Sequence, residues 1–162
     1  MNKEKEFRAG VRRYLDALDQ SITPILSQLI AYRYPTEVVA IHFEVFGYEF
    51  TQGFPVRAFF IDSSNSEFFV YVDGKAEYPS PVDPGLISIS GVYPLEFEDP
   101  FIELDEFDAW RVATEVLIGW FSEKWLSAGG ANFELRATIA PHGGPNEFNL
   151  KTAKWQGRVV ES

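Results

Sequence analysis

The sequence predicts an α+β fold: an antiparallel meander sheet packed by an N-terminal helix and by a long helix near residues 106–128, with one or two further C-terminal strands. Three observations predict it. Apolar residues recur at helical spacing in two well-separated segments. Between those segments, runs of two-residue period are joined by short, turn-rich links. Strand-forming residues return after the second helical segment.

Residues 1–33 read as helical. Phe7, Val11, Tyr14, Leu15 and Leu18 recur at spacings of three and four, and Ile22, Ile25 and Leu29 continue the stripe. Pro24 interrupts it, because proline lacks an amide hydrogen and clashes with the preceding turn. The segment is therefore one helix kinked at Pro24, or two in tandem with Thr23 capping the second.

Residues 37–90 read as the meander. Val39, Ile41, Phe43 and Val45 alternate with Ala40, His42, Glu44 and Phe46, which places His42 on the less buried face. Turns are expected at Thr51-Gln52-Gly53 and at Ser63–Ser66, flanking strands over 54–62 and 67–72. Asp73-Gly74 is the clearest turn, since both residues tolerate the positive φ of a type I′ hairpin. Pro79, Pro81, Pro84 and Gly85 form a loop, and Leu86–Ile89 a short strand. Links of this length join antiparallel neighbours.

The second helix, over 105–128, carries Phe107, Trp110, Thr114, Leu117, Ile118, Phe121 and Trp125 on one face, expected to be core. Asp105, Glu106 and Asp108 complement its N-terminal dipole, and Gly129-Gly130 ends it. Over 133–155 come a strand from Phe133 to Ile139, the loop Pro141-His142-Gly143-Gly144-Pro145, and a final strand near 148–155. No internal repeat is visible, and the 162 residues read as a single domain.

Composition narrows the function. The chain is 46% apolar and 16% aromatic, so it has the means to fold, and it has no cysteine. Disulfides, thiolate metal ligands and cysteine nucleophiles are excluded, and a reducing, cytoplasmic location is expected. Asn2–Glu6 leads into an amphipathic stripe and not into the apolar core of a secretion signal. Net charge is −10. Residues 1–33 and 136–162 each carry +2, while residues 34–135, with four basic and eighteen acidic groups, carry −14. That balance repels nucleic-acid backbones and anionic membranes and favours a cationic partner.

Motifs for the common chemistries are absent: no phosphate-binding glycine loop, no nucleophile elbow, no metal-binding histidine pair. No cofactor and no metal are expected. The weak catalytic candidate is His142, held open on a Gly/Pro loop where an imidazole can reach a ligand. The stronger candidate is Glu96–Asp108, with seven acids, no base, and Phe97, Phe101, Ile102, Leu104 and Phe107 interleaved. Glu96, Glu98, Asp99, Phe101, Glu103 and Asp105 are its partner-binding residues: rings supply contact area and charges steer encounter. Glu98, Asp99, Glu103 and Asp105 are expected to point outward and Phe107 inward.

In size, acidity and lack of catalytic motifs the chain is similar in general character to bacterial toxin-immunity proteins. Its helix–meander–helix order loosely resembles type III secretion chaperones, whose members are acidic dimers, although the strands over 133–155 extend beyond that pattern. Neither likeness rests on a diagnostic motif, so no family residue carries over. Both imply a non-enzymatic protein that engages a basic protein partner, and the chaperone resemblance implies a homodimer. The alternative is a small-molecule binder or enzyme with a pocket between sheet and second helix, lined by rings such as Phe43, Phe59, Phe69, Tyr71, Trp110 and Trp120, with His142 at its mouth.

Overall fold

A computed structural model describes residues 2–82 and 85–158. The fold is α+β, with four α-helices, a mostly antiparallel five-stranded sheet and a separate two-stranded one among the described residues. No helix among these residues is long and apolar enough to cross a membrane.

The N-terminal segment is two helices, α1 (Lys3–Asp16) and α2 (Asp19–Ala31). The chain breaks at Ala17-Leu18 and not at Pro24, which sits inside α2. Thr23 does not cap a new helix; its hydroxyl donates to the Asp19 carbonyl at 2.8 Å. Asn2 caps α1, its Oδ1 accepting from the amides of Glu4 and Lys5. Phe7, Val11 and Leu15 are wholly buried. Beside them α1 packs along the second long helix, here α4 (Ala109–Ser127), preceded by α3 (Leu95–Leu104). Ion pairs Arg8–Glu115 and Arg12–Glu123 rim that seam.

The strands are β1 (Ala40–Val45), β2 (Val56–Ile61), β3 (Val70–Val72), β4 (Lys75–Glu77), β5 (Arg136–Pro141), β6 (Asn146–Asn149) and β7 (Lys154–Gly157). The main sheet runs β2-β1-β5-β6-β7. Asp73 (φ 51°) and Gly74 (φ 80°) make the expected tight turn between β3 and β4. That hairpin nevertheless stands apart from the main sheet, because its residues are largely exposed and offer no apolar face to the core. Strand β5, with Ala137 and Ile139 buried, takes the place beside β1. It does so in parallel, since the connection between them carries α3 and α4 and is long enough to cross over. Leu86–Ile89 forms no strand, and Pro84 lies outside the described residues.

Ile41, Phe43 and Val45 face the helices, the Phe43 ring lying 4.8 Å from Phe121 and 5.6 Å from Trp125. Leu117, Phe121 and Trp125 are core as expected. Trp110 is not: its side chain is about half exposed, at 46%. The helix starts at Ala109, so Trp110 lies in its first turn, at the corner with α3. The acidic stretch is therefore mostly helix, not loop. Asp105, in left-handed conformation at φ 52°, ends α3, and Asp108 caps α4 by accepting from the Arg111 amide.

Candidate functional site

Two regions concentrate the chemistry. The first lies on the face of β1 opposite the helices, where alternation places His42 and Glu44. Both are buried, His42 at 2% and Glu44 at 6% exposure; alternation does put His42 on the face away from the helices, but that face of β1 is as buried as the other. Burial follows from what crosses over them. Arg158, just past β7, donates Nη1–H to Glu44 Oε2 at 2.8 Å and Nη2–H to the Pro141 carbonyl at 2.7 Å, with Nε–H on the Gly144 carbonyl. One guanidinium thus ties the 141–144 loop to the middle of the sheet.

Glu44 is the hub. Oε1 lies 2.7 Å from His142 Nδ1, and Oε2 lies 2.9 Å from His42 Nε2. Burial by itself would raise this carboxyl, but the hydrogen bonds from His42, Arg158 and His142 outweigh it and hold the pKa at about 2. An ionised carboxylate only accepts, so both facing imidazole nitrogens carry protons. The other ring nitrogen of His42, Nδ1, lies 2.7 Å from the Thr138 hydroxyl. Behind it Glu147 is wholly buried; its Oε2 accepts from Gln156, and its Oε1, 4.0 Å from His42 Nδ1, has no hydrogen-bond partner.

His142 is the exposed end of this chain of contacts, with 54% of its side chain accessible. Its ring rests on Phe46, centroids 4.5 Å apart, and its amide donates to the Val45 carbonyl. It lines a hollow of about 220 Å³ together with Trp110, Ile118, Pro141 and Trp155. The hollow does lie between sheet and second helix. Of the rings expected to line it only Trp110 does. Trp120 is wholly buried and donates to Asp19, Phe43 is core, and Tyr71 is 74% exposed on the detached hairpin. Trp155 takes their place.

The second region is the α3–α4 corner. Glu96, Asp99, Glu103, Asp105, Glu106 and Asp108 are exposed there. Among the described residues none of the six forms an ion pair. Glu98 is the correction: it is buried at 6%, accepting from the Tyr93 hydroxyl at 2.7 Å and from Trp110 Nε1–H at 2.9 Å. Burial, and then the neighbouring Glu98, push the Tyr93 phenol well above its usual range, so it stays a donor. Glu98 is held inward by those two donors, from the turn before α3 and the first turn of α4, beside Phe97, whose ring stacks on Phe7 at 5.3 Å. Phe101 is half-buried in the same ring cluster, as is Phe107. The apolar residues left outside are Leu95, Ile102 and Leu104. A shallow hollow of about 580 Å³ runs from Ile102 past Asp105, Glu106 and Asp108 to Trp110. Trp110 also borders the His142 hollow, so the two regions adjoin.

Fold and sites define an acidic α+β protein with a buried carboxylate–imidazole–guanidinium centre beside an unneutralised acidic corner. Comparison with family models, curated proteins and solved structures gives no match. Glu44, Thr138, Trp155 and Arg158 escaped sequence reasoning. For Glu44 a signal was present: the two-residue spacing from His42 in one strand puts both on one face.

Proposed function

We propose that this chain is a non-enzymatic binding protein whose α3–α4 corner docks a basic segment of a partner protein. One observation carries the reading. Elsewhere the helices neutralise their carboxylates in place: Glu4 and Glu115 with Arg8, Asp16 and Glu123 with Arg12, Asp19 with Lys124. At the corner six carboxylates stand without an ion-pair partner among the described residues, beside the exposed apolar side chains Leu95, Ile102, Leu104 and Trp110. An apolar patch that stays in water inside a single-sign field suits a partner of opposite charge, whose arrival desolvates the patch and neutralises the field.

The hollow between Ile102 and Trp110 fits a lysine or arginine side chain. Its stem would lie on Ile102 and Phe107, its cation among Asp105, Glu106 and Asp108, and the indole face of Trp110 would add cation–π attraction. Glu96, Asp99 and Glu103 extend the field along α3, and Phe101 supports the patch from within. Glu98 is spent on the fold and takes no part in docking. A second copy of this chain is disfavoured at this face, because like charges would meet. A role in neutralising or escorting a basic protein follows from the same chemistry.

The test uses an amphipathic Lys/Leu peptide, with a Glu/Leu peptide of equal length as control. Calorimetry should show binding of the first only, weakening as salt rises. Glu103→Lys combined with Glu106→Lys, which spares the left-handed Asp105, should weaken it at least tenfold while thermal unfolding stays near that of the wild type. Equal affinity of wild type and double variant removes the docking reading.

A further inference from the structure

The Glu44–His142 pair has a consequence independent of the acidic corner. Because ionised Glu44 only accepts, the proton of a neutral His142 sits on Nδ1, and Nε2 keeps its lone pair. Among the described residues Nε2 hydrogen-bonds to no protein group, and the ring is half exposed. The ring is also held still. Phe46 lies under it, its own amide is bonded to Val45, and Arg158 pins the carbonyls on either side at Pro141 and Gly144. A connecting loop needs none of this. Burying Glu44 and Arg158 to orient one exposed imidazole is the pattern of a positioned acceptor.

The hollow in front of it is small, and its walls are apolar: Trp110, Trp155, Ile118 and Pro141. The charged groups facing it are Asp108, Arg111 and Glu115. Glu115 is paired with both Arg111 and Arg8, and Asp108 has no ion-pair partner among the described residues, so an anion is disfavoured. Thr114 offers no free hydroxyl, since Oγ1–H is donated to the Trp110 carbonyl.

We propose that this hollow binds a small, flat, uncharged molecule bearing one O–H or N–H donor, with His142 Nε2 as its acceptor. The indoles supply flat apolar contact, and His142 supplies the single directional bond that sets orientation. Glu44 is a positioning residue: it fixes the ring and its tautomer without touching the ligand.

The experiment uses nitrogen-15-labelled full-length protein and three uncharged or anionic probes: phenol, anisole and benzoate. Wild-type His142 should show the Nδ1–H tautomer; the Nε2–H tautomer overturns the proposal. Phenol should shift His142 Nε2 and the indole signals of Trp110 and Trp155, leaving buried Trp120 and Trp125 unmoved. Anisole, equal in shape but without the donor, should bind about fivefold more weakly, the worth of one hydrogen bond. Benzoate should not bind. His142→Ala, a substitution at an exposed loop position, should erase the phenol–anisole difference. Equal binding of phenol and anisole, a preference that survives His142→Ala, or shifts no larger at the two lining indoles than at the buried ones would each overturn it. Glu103→Lys with Glu106→Lys, neither of which lines this hollow, leaves these shifts unchanged, so failure here and failure of partner docking are separable.

Discussion

The Glu44 centre and the α3–α4 corner treat carboxylates in opposite ways. At the centre one buried glutamate has three cationic or donor side chains around it, brought from β1, the 141–144 loop and the chain after β7. At the corner six exposed acids have no ion-pair partner among the described residues. The difference is one of solvent. A buried charge is tolerated only when paired and hydrogen-bonded, so the fold must deliver partners to Glu44. Water screens the corner acids, so the fold need not neutralise them, and their field remains available outside the molecule. Glu98 marks the boundary: it belongs to the acidic run by sequence and to the buried class by environment.

The largest effect should come from breaking the centre. Glu44→Ala leaves Arg158 without its carboxylate and two imidazoles without their acceptor. It should cost about 3–5 kcal/mol in urea unfolding. A loss below 1 kcal/mol would mean that the centre holds nothing in place.

Acid should break the same centre in the wild type. The folded-state pKa of Glu44, about 2, lies below that of an unfolded glutamate. Its contribution is therefore complete above the unfolded value of about 4.3 and is lost as pH falls toward 2. Stability measured across that window should drop more steeply for wild type than for Glu44→Gln, whose difference from wild type should shrink as pH falls. Parallel curves would contradict the ionised hub.

At the boundary, Trp110→Phe keeps a ring and removes the donor to Glu98. A buried acceptor then has one partner fewer, at a cost of about 1–2 kcal/mol. Thermal unfolding of Trp110→Phe beside Trp110→Phe/Glu98→Gln reads the coupling, which should vanish if Glu98 were as exposed as its neighbours.

The smallest change in stability belongs to the corner. Glu103→Lys, alone or with Glu106→Lys, should alter unfolding free energy by about 0.5 kcal/mol or less. Its effect should fall instead on the rate of association with a basic partner, read by stopped flow at two salt concentrations. A large loss of stability would place these acids with Glu44 and erase the contrast.

Local patterns in the sequence carried the stripe of α1, the apolar face of α4 and the Asp73-Gly74 turn. Each depends on residues within one helical turn or two strand positions, where spacing alone decides which side chains share a face. The same local reading put Glu98, Asp99, Glu103 and Asp105 on the surface and was wrong for Glu98, which is buried. Its direction is set by partners that local spacing does not show, the Tyr93 hydroxyl and the Trp110 indole, once Phe97 and Phe101 dock against Phe7 from another helix. Local reading set β3 and β4 in the meander, yet the strand beside β1 is β5, since burial of apolar area across the whole sheet outweighs short connections. Nor did it meet the centre itself. Glu44 and Arg158 are 114 residues apart along the chain, and Glu44 and His142 are 98 apart. Which charges share a buried site is decided when strands pair, because only then does desolvation demand a partner for each.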